Sequence, residues 1–152
     1  MPVPYLACMA LVAQIYGLPP RVLPSIQAVE GGMLGTVHRN TDGSEDLGLM
    51  QINTLWLPTL AHYSRLRVTD VRERLLLSPC YNVAAAGLIL RIYLDETRGD
   101  LMRAVGNYHS HTRMLNEGYQ ARVVRSATVL FRPAMAAPEA RQQTARSVPV
   151  AR

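Results

Sequence analysis

The stretch Gly48-Leu49-Met50-Gln51-Ile52-Asn53 stands between two regions of different character. Upstream of it, residues 31–47 contain four glycines and a turn-forming Asp-Gly-Ser sequence, which favours a loop or a small β-hairpin. Downstream, apolar residues recur at helical spacing as far as Leu60, so we expect a helix that begins near Met50 or Asn53. The stretch therefore connects a small β element to a helical region.

Helical patterns also occur on both sides of this centre. Apolar residues at three- and four-residue steps predict further helices over residues 6–16, 20–30, 70–78, 80–97, 101–108 and 117–131. Asp70-Val71-Arg72-Glu73 has the sequence of a capping box, and Asp100 is expected to cap the helix that follows it. We predict a mainly α domain with one small β element.

Length and composition describe a single globular domain. The chain has 152 residues, of which 49% are apolar, and it contains no apolar run long enough for a transmembrane segment. The net charge is +5, and all sixteen basic residues are arginine. Such a charge favours an anionic partner, namely nucleic acid, anionic lipid or the bacterial wall. Nucleic acid is the least favoured, because the sequence has neither a basic helix face nor an aromatic stacking platform.

The charge is unevenly distributed along the chain. Residues 133–152 are rich in Ala, Pro and Arg, and they contain three arginines against one glutamate, a net of +2. Residues 1–132 carry thirteen arginines against ten acidic residues, a net of +3. We therefore expect a folded domain over residues 1–132 and a disordered tail, which either tethers the protein to an anionic wall or membrane or has no role.

The amino-terminal region and the cysteine count bear on cellular location. Residues 5–13 are apolar enough for the centre of a signal peptide, but no positive residue precedes them and no clean cleavage site follows. A helix explains the pattern better, so if the protein is exported, its signal peptide is absent from this chain or removed. Cys8 and Cys80 allow at most one disulfide and exclude a four-cysteine zinc site.

Glu30 is the carboxylate best placed for chemistry. It closes an apolar helix, where the negative end of the helix dipole and the neighbouring Ile26 both disfavour its ionised form. Both effects raise its pKa, as a general acid working near neutral pH requires. The alternative is a surface glutamate at a fraying helix end.

Three blocks, taken in order, resemble the soluble lytic transglycosylases, which have a lysozyme-like fold. They are Glu30, the Gly48–Asn53 stretch, and Ala104-Val105-Gly106-Asn107-Tyr108-His109-Ser110. The resemblance covers about residues 5–131. More narrowly, the chain resembles the small single-domain members that accompany type IV secretion, conjugation, type III secretion and pilus systems. The segments that carry this narrower resemblance are Asp42-Gly43-Ser44, Trp56-Leu57-Pro58 and Ser78-Pro79-Cys80-Tyr81-Asn82.

The resemblance implies a reaction that needs no cofactor. Members of the family are carbon–oxygen lyases that cleave the β-1,4 bond between N-acetylmuramic acid and N-acetylglucosamine in peptidoglycan. Glu30 would protonate the glycosidic oxygen and then act as base toward the muramic acid 6-hydroxyl, which closes a 1,6-anhydro ring. One carboxylate suffices because the nucleophile is tethered within the substrate. An ordinary glycosidase needs a second carboxylate.

The resemblance also assigns roles within the central stretch. Gly48 would let the backbone approach the sugar closely, while Met50 and Gln51 would line the subsite beside the scissile bond. For Met50 the alternative is a core position at the start of an apolar helix. Asp46 would brace the loop beside the catalytic glutamate, and Asn53 would fix the following turn.

The predicted site also contains two tyrosines, and it differs from the family pattern at two positions. Tyr108 would stand near Glu30 with its hydroxyl bonded to the carboxyl or the substrate, and Tyr119 would be a second tyrosine that faces the cleft or only packs in the core. Gly31 stands where the family usually has serine, so the hydroxyl that would assist the catalytic site or the substrate acetamido group is missing here. His109 stands where many members have asparagine, and its spacing from His111 puts the two on different helix faces, which argues against a metal site.

In the resembling branch a cysteine of the first helix pairs with one at the start of the long helix, which implies a Cys8–Cys80 disulfide and an oxidising compartment, the periplasm. The alternative is two free thiols in the cytosol. The expected function is a transglycosylase that opens the wall locally for a secretion, conjugation or pilus apparatus, whose components are its expected partners besides glycan strands. The alternatives are a hydrolytic muramidase, with Glu45 or Asp46 as second carboxylate, and a peptidoglycan-binding subunit without activity.

Overall fold

The computed structural model of the protein describes residues 3–133. The tail predicted over residues 133–152 therefore lies, except for Pro133, outside the described residues. The helices are α1 (Leu6–Tyr16), α2 (Val22–Glu30), α3 (Leu57–Ser64), α4 (Val68–Leu77), α5 (Pro79–Glu96), α6 (Leu101–His109) and α7 (Arg113–Leu130). The strands are β1 (Val37–Arg39), β2 (Glu45–Leu47) and β3 (Ile52–Asn53), and a short 3₁₀-helix spans Thr54–Trp56. This is the predicted mainly α architecture with a small β element.

Helix α5 lies at the centre of the fold. It packs against α1 on one side and against α4 and α6 on others, while α7 packs against both α2 and α6. The approach of α1 to α5 is close, because a Cβ added at Gly87 would lie 2.3 Å from Cγ1 of Val12. Met9 of α1, Leu23 and Ile26 of α2 and Leu90 of α5 are fully buried. The core therefore lies beneath α2, the helix that ends at Glu30.

The three strands form an antiparallel sheet in the order β1-β2-β3. In the hairpin turn, the Asp42 carboxylate accepts hydrogen bonds from the amide and the hydroxyl of Ser44, at 2.9 and 2.6 Å. Asp46 of β2 lies opposite His38 of β1 and Asn53 of β3. The predicted hairpin is therefore present, and a third strand extends it.

The helix expected to start near Met50 or Asn53 begins only at Leu57. Gly48 and Gln51 have φ values of +69° and +51°, which a right-handed helix does not allow. Asn53 then caps the 3₁₀-helix, since its side-chain oxygen accepts from the amide of Leu55 at 2.9 Å. The expected role of Asn53 in fixing the following turn agrees with this contact.

The structure tests the two predicted helix caps, at Asp70 and Asp100, and the implied disulfide. Helix α4 begins at Val68, so the capping box at Asp70 is wrong, and the Asp70 carboxylate instead accepts from the Arg67 guanidinium at 2.8 and 2.9 Å. Asp100 does cap α6, accepting from the amide of Arg103 at 3.0 Å. Cys8 and Cys80 are joined by a disulfide between α1 and α5, with Cα atoms 5.4 Å apart, as the resemblance implies.

Within residues 3–133, no single helix is long and apolar enough to cross a membrane. Helices α4 and α5 reach the necessary length and composition only as a pair, and the pair is bent by 112°.

Candidate active site

Helix α2 carries Glu30 to the edge of a cleft of about 380 Å³. The helix ends there because Gly31 adopts a φ of +64°, and the Gly31 amide closes the last turn on the carbonyl of Gln27 at 2.8 Å. The buried face of α2, which includes Leu23 and Ile26, fixes the position of this end. Residues of the sheet region, the 3₁₀-helix, α5, and α6 with the loop after it line the rest of the cleft. Among them are Asp46, Gln51, Trp56, Tyr93, Asn107, Tyr108 and His111.

The carboxyl group of Glu30 is held by Tyr119 of α7. The Tyr119 hydroxyl donates a hydrogen bond to Oε1 of Glu30 at 2.5 Å, and the tyrosine is only 1% exposed. This contact orients the carboxyl group through one oxygen.

Burial raises the pKa of Glu30 above its ordinary value of 4.5. The hydrogen bond from Tyr119 lowers the pKa because it favours the ionised form, the negative charge of Asp46 raises it, and the positive charge of Arg122 lowers it. Desolvation is the largest of these effects, so the pKa is raised overall. The sequence argument from an apolar flank led to the same direction.

Tyr119 is itself fixed by two contacts. The His109 ring stacks on it at 5.0 Å with an angle of 7° between the planes, and the Arg122 guanidinium lies 5.2 Å from its ring centre. Burial, together with the neighbouring Glu30, raises the pKa of Tyr119 far above the usual value, so its hydroxyl keeps its proton and acts as a donor. Burial lowers the pKa of His109, with Arg122 acting in the same direction, which favours a neutral imidazole at neutral pH.

Tyr108 lines the cleft, but its hydroxyl does not bond Glu30. It donates to the main-chain carbonyl of Met50 at 2.9 Å, and so fastens the central stretch to α6. Of the two alternatives expected for the Tyr108 hydroxyl, carboxyl or substrate, the bond to the carboxyl is therefore not made, and Tyr119 makes it instead. Met50 is fully buried and its side chain packs in the core, which agrees with the core alternative for this residue and not with a place beside the scissile bond.

Asn82 of α5 is the residue that holds the central stretch in place. It is fully buried; its side-chain oxygen accepts from the amide of Met50 at 2.8 Å, and its amide donates to the carbonyls of Leu47 and Leu75 at 2.9 and 2.8 Å. A Cβ at Gly48 would lie 2.3 Å from the Leu75 carbonyl oxygen and 2.5 Å from Nδ2 of Asn82. Gly48 is thus required for close internal packing and does not line the cleft, contrary to the expected contact with sugar.

The sequence alone gives no role for Asn82, which stands in the resembling segment Ser78-Pro79-Cys80-Tyr81-Asn82. Its burial could have been anticipated, since it stands in the apolar pattern of α5 where a buried amide needs several partners. The sequence also does not indicate an aromatic wall of the cleft, which consists of Trp56, Tyr93 and His111. The Tyr93 ring makes edge-to-face contacts with Trp56 at 5.7 Å and with His111 at 5.2 Å.

The two carboxylates beside the central stretch differ in environment. Glu45 is bound to Arg72 at 2.7 Å and approaches Arg39 at 3.5 Å, and chiefly the hydrogen bond from Arg72 lowers its pKa. Asp46 lines the cleft with Glu30, and its two oxygens accept from the side-chain amides of Asn53 and Asn40 at 2.9 and 3.1 Å. Asp46 is therefore the one of the two that lines the cleft, and these amides anchor it.

Gln51 lines the cleft, as expected, and its amide donates to the carbonyl of Gly48 at 2.8 Å. His109 and His111 point to different neighbours, since His111 bonds Glu96 through Nε2 at 2.8 Å while His109 stacks on Tyr119. Across the part of the chain that the structure describes, no three His, Cys, Asp or Glu side chains are grouped so that they could hold a metal ion.

Comparison with known proteins finds one matching family and several similar proteins. The family described as "Transglycosylase SLT domain" matches residues 7–125. Invasion protein IagB of Salmonella typhimurium is 33% identical over 107 residues, which cover 69% of this chain and 62% of IagB. Protein IpgF of Shigella sonnei is 33% identical over 115 residues, which cover 72% of this chain and 71% of IpgF. The chain thus spans under two thirds of the length of IagB.

Proposed function

The chain belongs to the Transglycosylase SLT domain family, with its mainly α, lysozyme-like fold, and we propose that it is a peptidoglycan lytic transglycosylase. It cleaves the β-1,4 bond between N-acetylmuramic acid and N-acetylglucosamine and leaves a 1,6-anhydro end. The observation that carries this proposal is the hydrogen bond between Tyr119 and Glu30, which orients a carboxyl group of raised pKa at the cleft wall.

In the first step Glu30 acts as general acid. Because Oε1 accepts the hydrogen bond from Tyr119, Oε2 carries the proton toward the glycosidic oxygen. The raised pKa keeps a larger fraction of the carboxyl protonated near neutral pH than an exposed glutamate would have. As the bond between the anomeric carbon and this oxygen breaks, the N-acetylglucosamine side leaves as an alcohol.

In the second step the resulting Glu30 carboxylate acts as base. It accepts the proton of the muramic acid 6-hydroxyl, whose oxygen forms a bond to the anomeric carbon of the same sugar. The carboxyl group is thereby returned to its protonated form, and no water is consumed. Between the steps, the Tyr119 hydroxyl and the Arg122 charge both stabilise the carboxylate, since each lowers its pKa.

A hydrolytic muramidase is the second candidate, because Asp46 lines the same cleft as Glu30. The anchoring of both Asp46 oxygens by Asn40 and Asn53 favours a bracing and electrostatic role instead. Glu45 is a weaker candidate for a second carboxylate, since Arg72 engages it. A binding subunit without activity is the third candidate; the oriented Glu30 carboxyl argues against it.

We place this reaction in the periplasm, where it would open the wall locally for a secretion, conjugation or pilus apparatus. The Cys8–Cys80 disulfide supports an oxidising compartment.

The proposal is tested by clearing of purified peptidoglycan. The wild-type protein should lower the turbidity of a wall suspension, and Glu30→Gln should lower the rate by roughly 10³-fold, the range for loss of a general acid–base group. Glu73→Gln makes the same exchange of carboxylate for amide at an exposed position of α4 and serves as the control. Unchanged clearing by Glu30→Gln would overturn the proposed role of this residue.

A further inference from the structure

The last residue of α6, His109, lines the cleft and contacts the tyrosine that holds the carboxyl group of Glu30. The imidazole ring lies nearly parallel to the Tyr119 ring, with 5.0 Å between the ring centres and 7° between the planes. This is the geometry of offset stacking between aromatic rings. His109 is otherwise exposed, so its ring can exchange protons with solvent while it contacts Tyr119.

Close packing of α6 on α7 fixes the main chain that carries His109. A Cβ added at Gly106 would lie 2.0 Å from Oδ1 of Asn116, so no larger residue fits at this crossing. The Asn116 amide also donates a hydrogen bond to the carbonyl of Ser110, at 3.2 Å. The main chain next to His109 is therefore tied to α7, and this arrangement brings the imidazole over the Tyr119 ring.

The charge around His109 is mixed. The charged and titratable groups that contact it or share its cleft are Tyr119 and Arg122 of α7, Asp42 and Asp46 of the hairpin, Glu30 of α2, Tyr93 of α5, Tyr108 of α6, and His111. Burial lowers the pKa of His109 below its ordinary value of 6.5; the positive charge of Arg122 lowers it as well, and the negative charge of Asp46 raises it. The neutral imidazole is therefore the form favoured near pH 7.

Protonation of His109 adds a second positive charge at a ring that a guanidinium already contacts. The Arg122 guanidinium lies 5.2 Å from the centre of the Tyr119 ring, and it is charged at every accessible pH. Two cations at one ring repel each other. Because the rest of the His109 side chain is exposed, an imidazolium can move away from Tyr119 into the cleft. The neutral ring is thus the one that stays stacked on Tyr119.

We propose that His109 is a positioning residue: its neutral ring holds Tyr119 in the orientation that bonds Glu30, and its protonation at acidic pH releases Tyr119 and lowers turnover. This inference rests on the proposed function, because it assigns the regulation of the same site by pH. Glu30 acts first as acid, so by itself it supplies only the alkaline limb of a pH–rate profile. His109 adds an acidic limb.

Two substitutions of His109 test this on soluble glycan strands, with kcat/KM measured against pH. In the wild type, kcat/KM should fall about tenfold to a lower plateau in acid, the loss expected when the Tyr119 hydrogen bond is broken. His109→Phe keeps a ring that can stack but cannot be protonated, so the acidic limb should disappear. His109→Ala lacks the ring, so kcat/KM at the optimum should fall about tenfold, again without an acidic limb.

Two further variants serve as controls. His62→Asn removes an exposed histidine of α3 and should keep the wild-type profile. Asp46→Asn should retain the acidic limb and move it to lower pH, because the Asp46 charge raises the pKa of His109. An acidic limb that persists in His109→Phe, or one that vanishes in Asp46→Asn, would overturn the inference. Equal rates for His109→Ala and His109→Phe at the optimum would also overturn it, since stacking would then be without effect.

A measurement without turnover separates this inference from the proposed reaction. In the Glu30→Gln protein, which has no titrating group at position 30, proton NMR should show the Tyr119 ring signals shifting with the same midpoint as the His109 imidazole. Adding Arg122→Gln should raise that midpoint, because the Arg122 charge lowers the pKa of His109. If the wild type cleaves no glycan, the proposed reaction fails, while this titration still decides whether His109 acts on Tyr119. Tyr119 signals that do not follow His109 contradict the positioning role alone.

Discussion

The hydroxyl of Tyr119 donates a 2.5 Å hydrogen bond to Oε1 of Glu30, although 89 positions separate the two residues in the chain. The contact exists because α7 packs along α2, so the buried tyrosine reaches the end of the helix that carries the carboxyl group. It fixes one carboxyl oxygen at the edge of the cleft. Packing of two helices thus sets the orientation of the carboxyl group.

Tyr119→Phe should lower kcat about tenfold and move the alkaline limb of the pH–rate profile to higher pH. The hydrogen bond favours the ionised carboxylate, so its removal raises the pKa of Glu30 further. The rate falls because Oε1 is no longer fixed, and a charge-assisted hydrogen bond is worth roughly 1.5–3 kcal/mol. A profile of kcat against pH checks this. A limb that stays in place or moves to lower pH would contradict the assigned role.

Glu30→Gln should stabilise the protein at neutral pH. Because the folded pKa of Glu30 is raised, its contribution to stability is fully present below its unfolded value, about 4.5, and is lost as pH rises through the folded pKa. An amide avoids the cost of ionising a buried carboxyl. We expect a gain on the order of 1 kcal/mol, or roughly 2–4 °C in Tm, at pH 7 and none below about pH 4.

Calorimetry at both pH values measures this difference, with Glu73→Gln as the control for the exchange of a carboxylate for an amide. A lower Tm for Glu30→Gln at pH 7, with an unchanged value for the control, would show that the ionised carboxylate stabilises the fold.

Asp46→Asn should shift the alkaline limb of the pH–rate profile to lower pH, because the negative charge of Asp46 raises the pKa of Glu30. The variant should still produce anhydro ends, with a rate reduced by no more than about tenfold, since an amide still accepts a hydrogen bond from Asn53 or Asn40. A pH–rate profile and product masses provide the measurement. Complete loss of turnover would instead support Asp46 as the second carboxylate of a hydrolase.

Replacing both cysteines by serine should lower the free energy of unfolding by about 4 kcal/mol. The Cys8–Cys80 bridge closes a loop with a sequence separation of 72, and long loops lose most when the cross-link is removed. Urea denaturation of the double variant and of the wild type, with and without reductant, measures the change. Reductant should destabilise only the wild type. A difference below about 1 kcal/mol would mean that the bridge contributes little to stability.

The sequence was sufficient for those features that depend on local pattern. The hairpin follows from glycines and the Asp42-Gly43-Ser44 turn, and the cap at Asp100 is satisfied within one helical turn. The capping box at Asp70 failed for a local reason, because Arg67 binds the carboxylate and the helix starts earlier. Local rules thus predicted elements well and boundaries less well.

The division of roles between Tyr108 and Tyr119 could not be obtained from the sequence. Both tyrosines lie on helices near the cleft, and which hydroxyl reaches Glu30 depends on how α6 and α7 pack around it. The cleft contacts that the resemblance implies for Gly48 and Met50 are absent for a similar reason. Both lie beside Asn82, whose hydrogen bonds turn the stretch inward, and this contact joins segments more than thirty residues apart.

Mass spectrometry of the sugars released from purified peptidoglycan tests the central claim most directly. Intramolecular attack by the 6-hydroxyl leaves muramic acid ends that are one water lighter than hydrolytic reducing ends. We predict anhydro ends with the wild-type protein and with Asp46→Asn, and essentially none with Glu30→Gln. Reducing ends from the wild type, or anhydro ends from Glu30→Gln at an undiminished rate, would contradict the assignment of Glu30 as acid and base of a lytic transglycosylase.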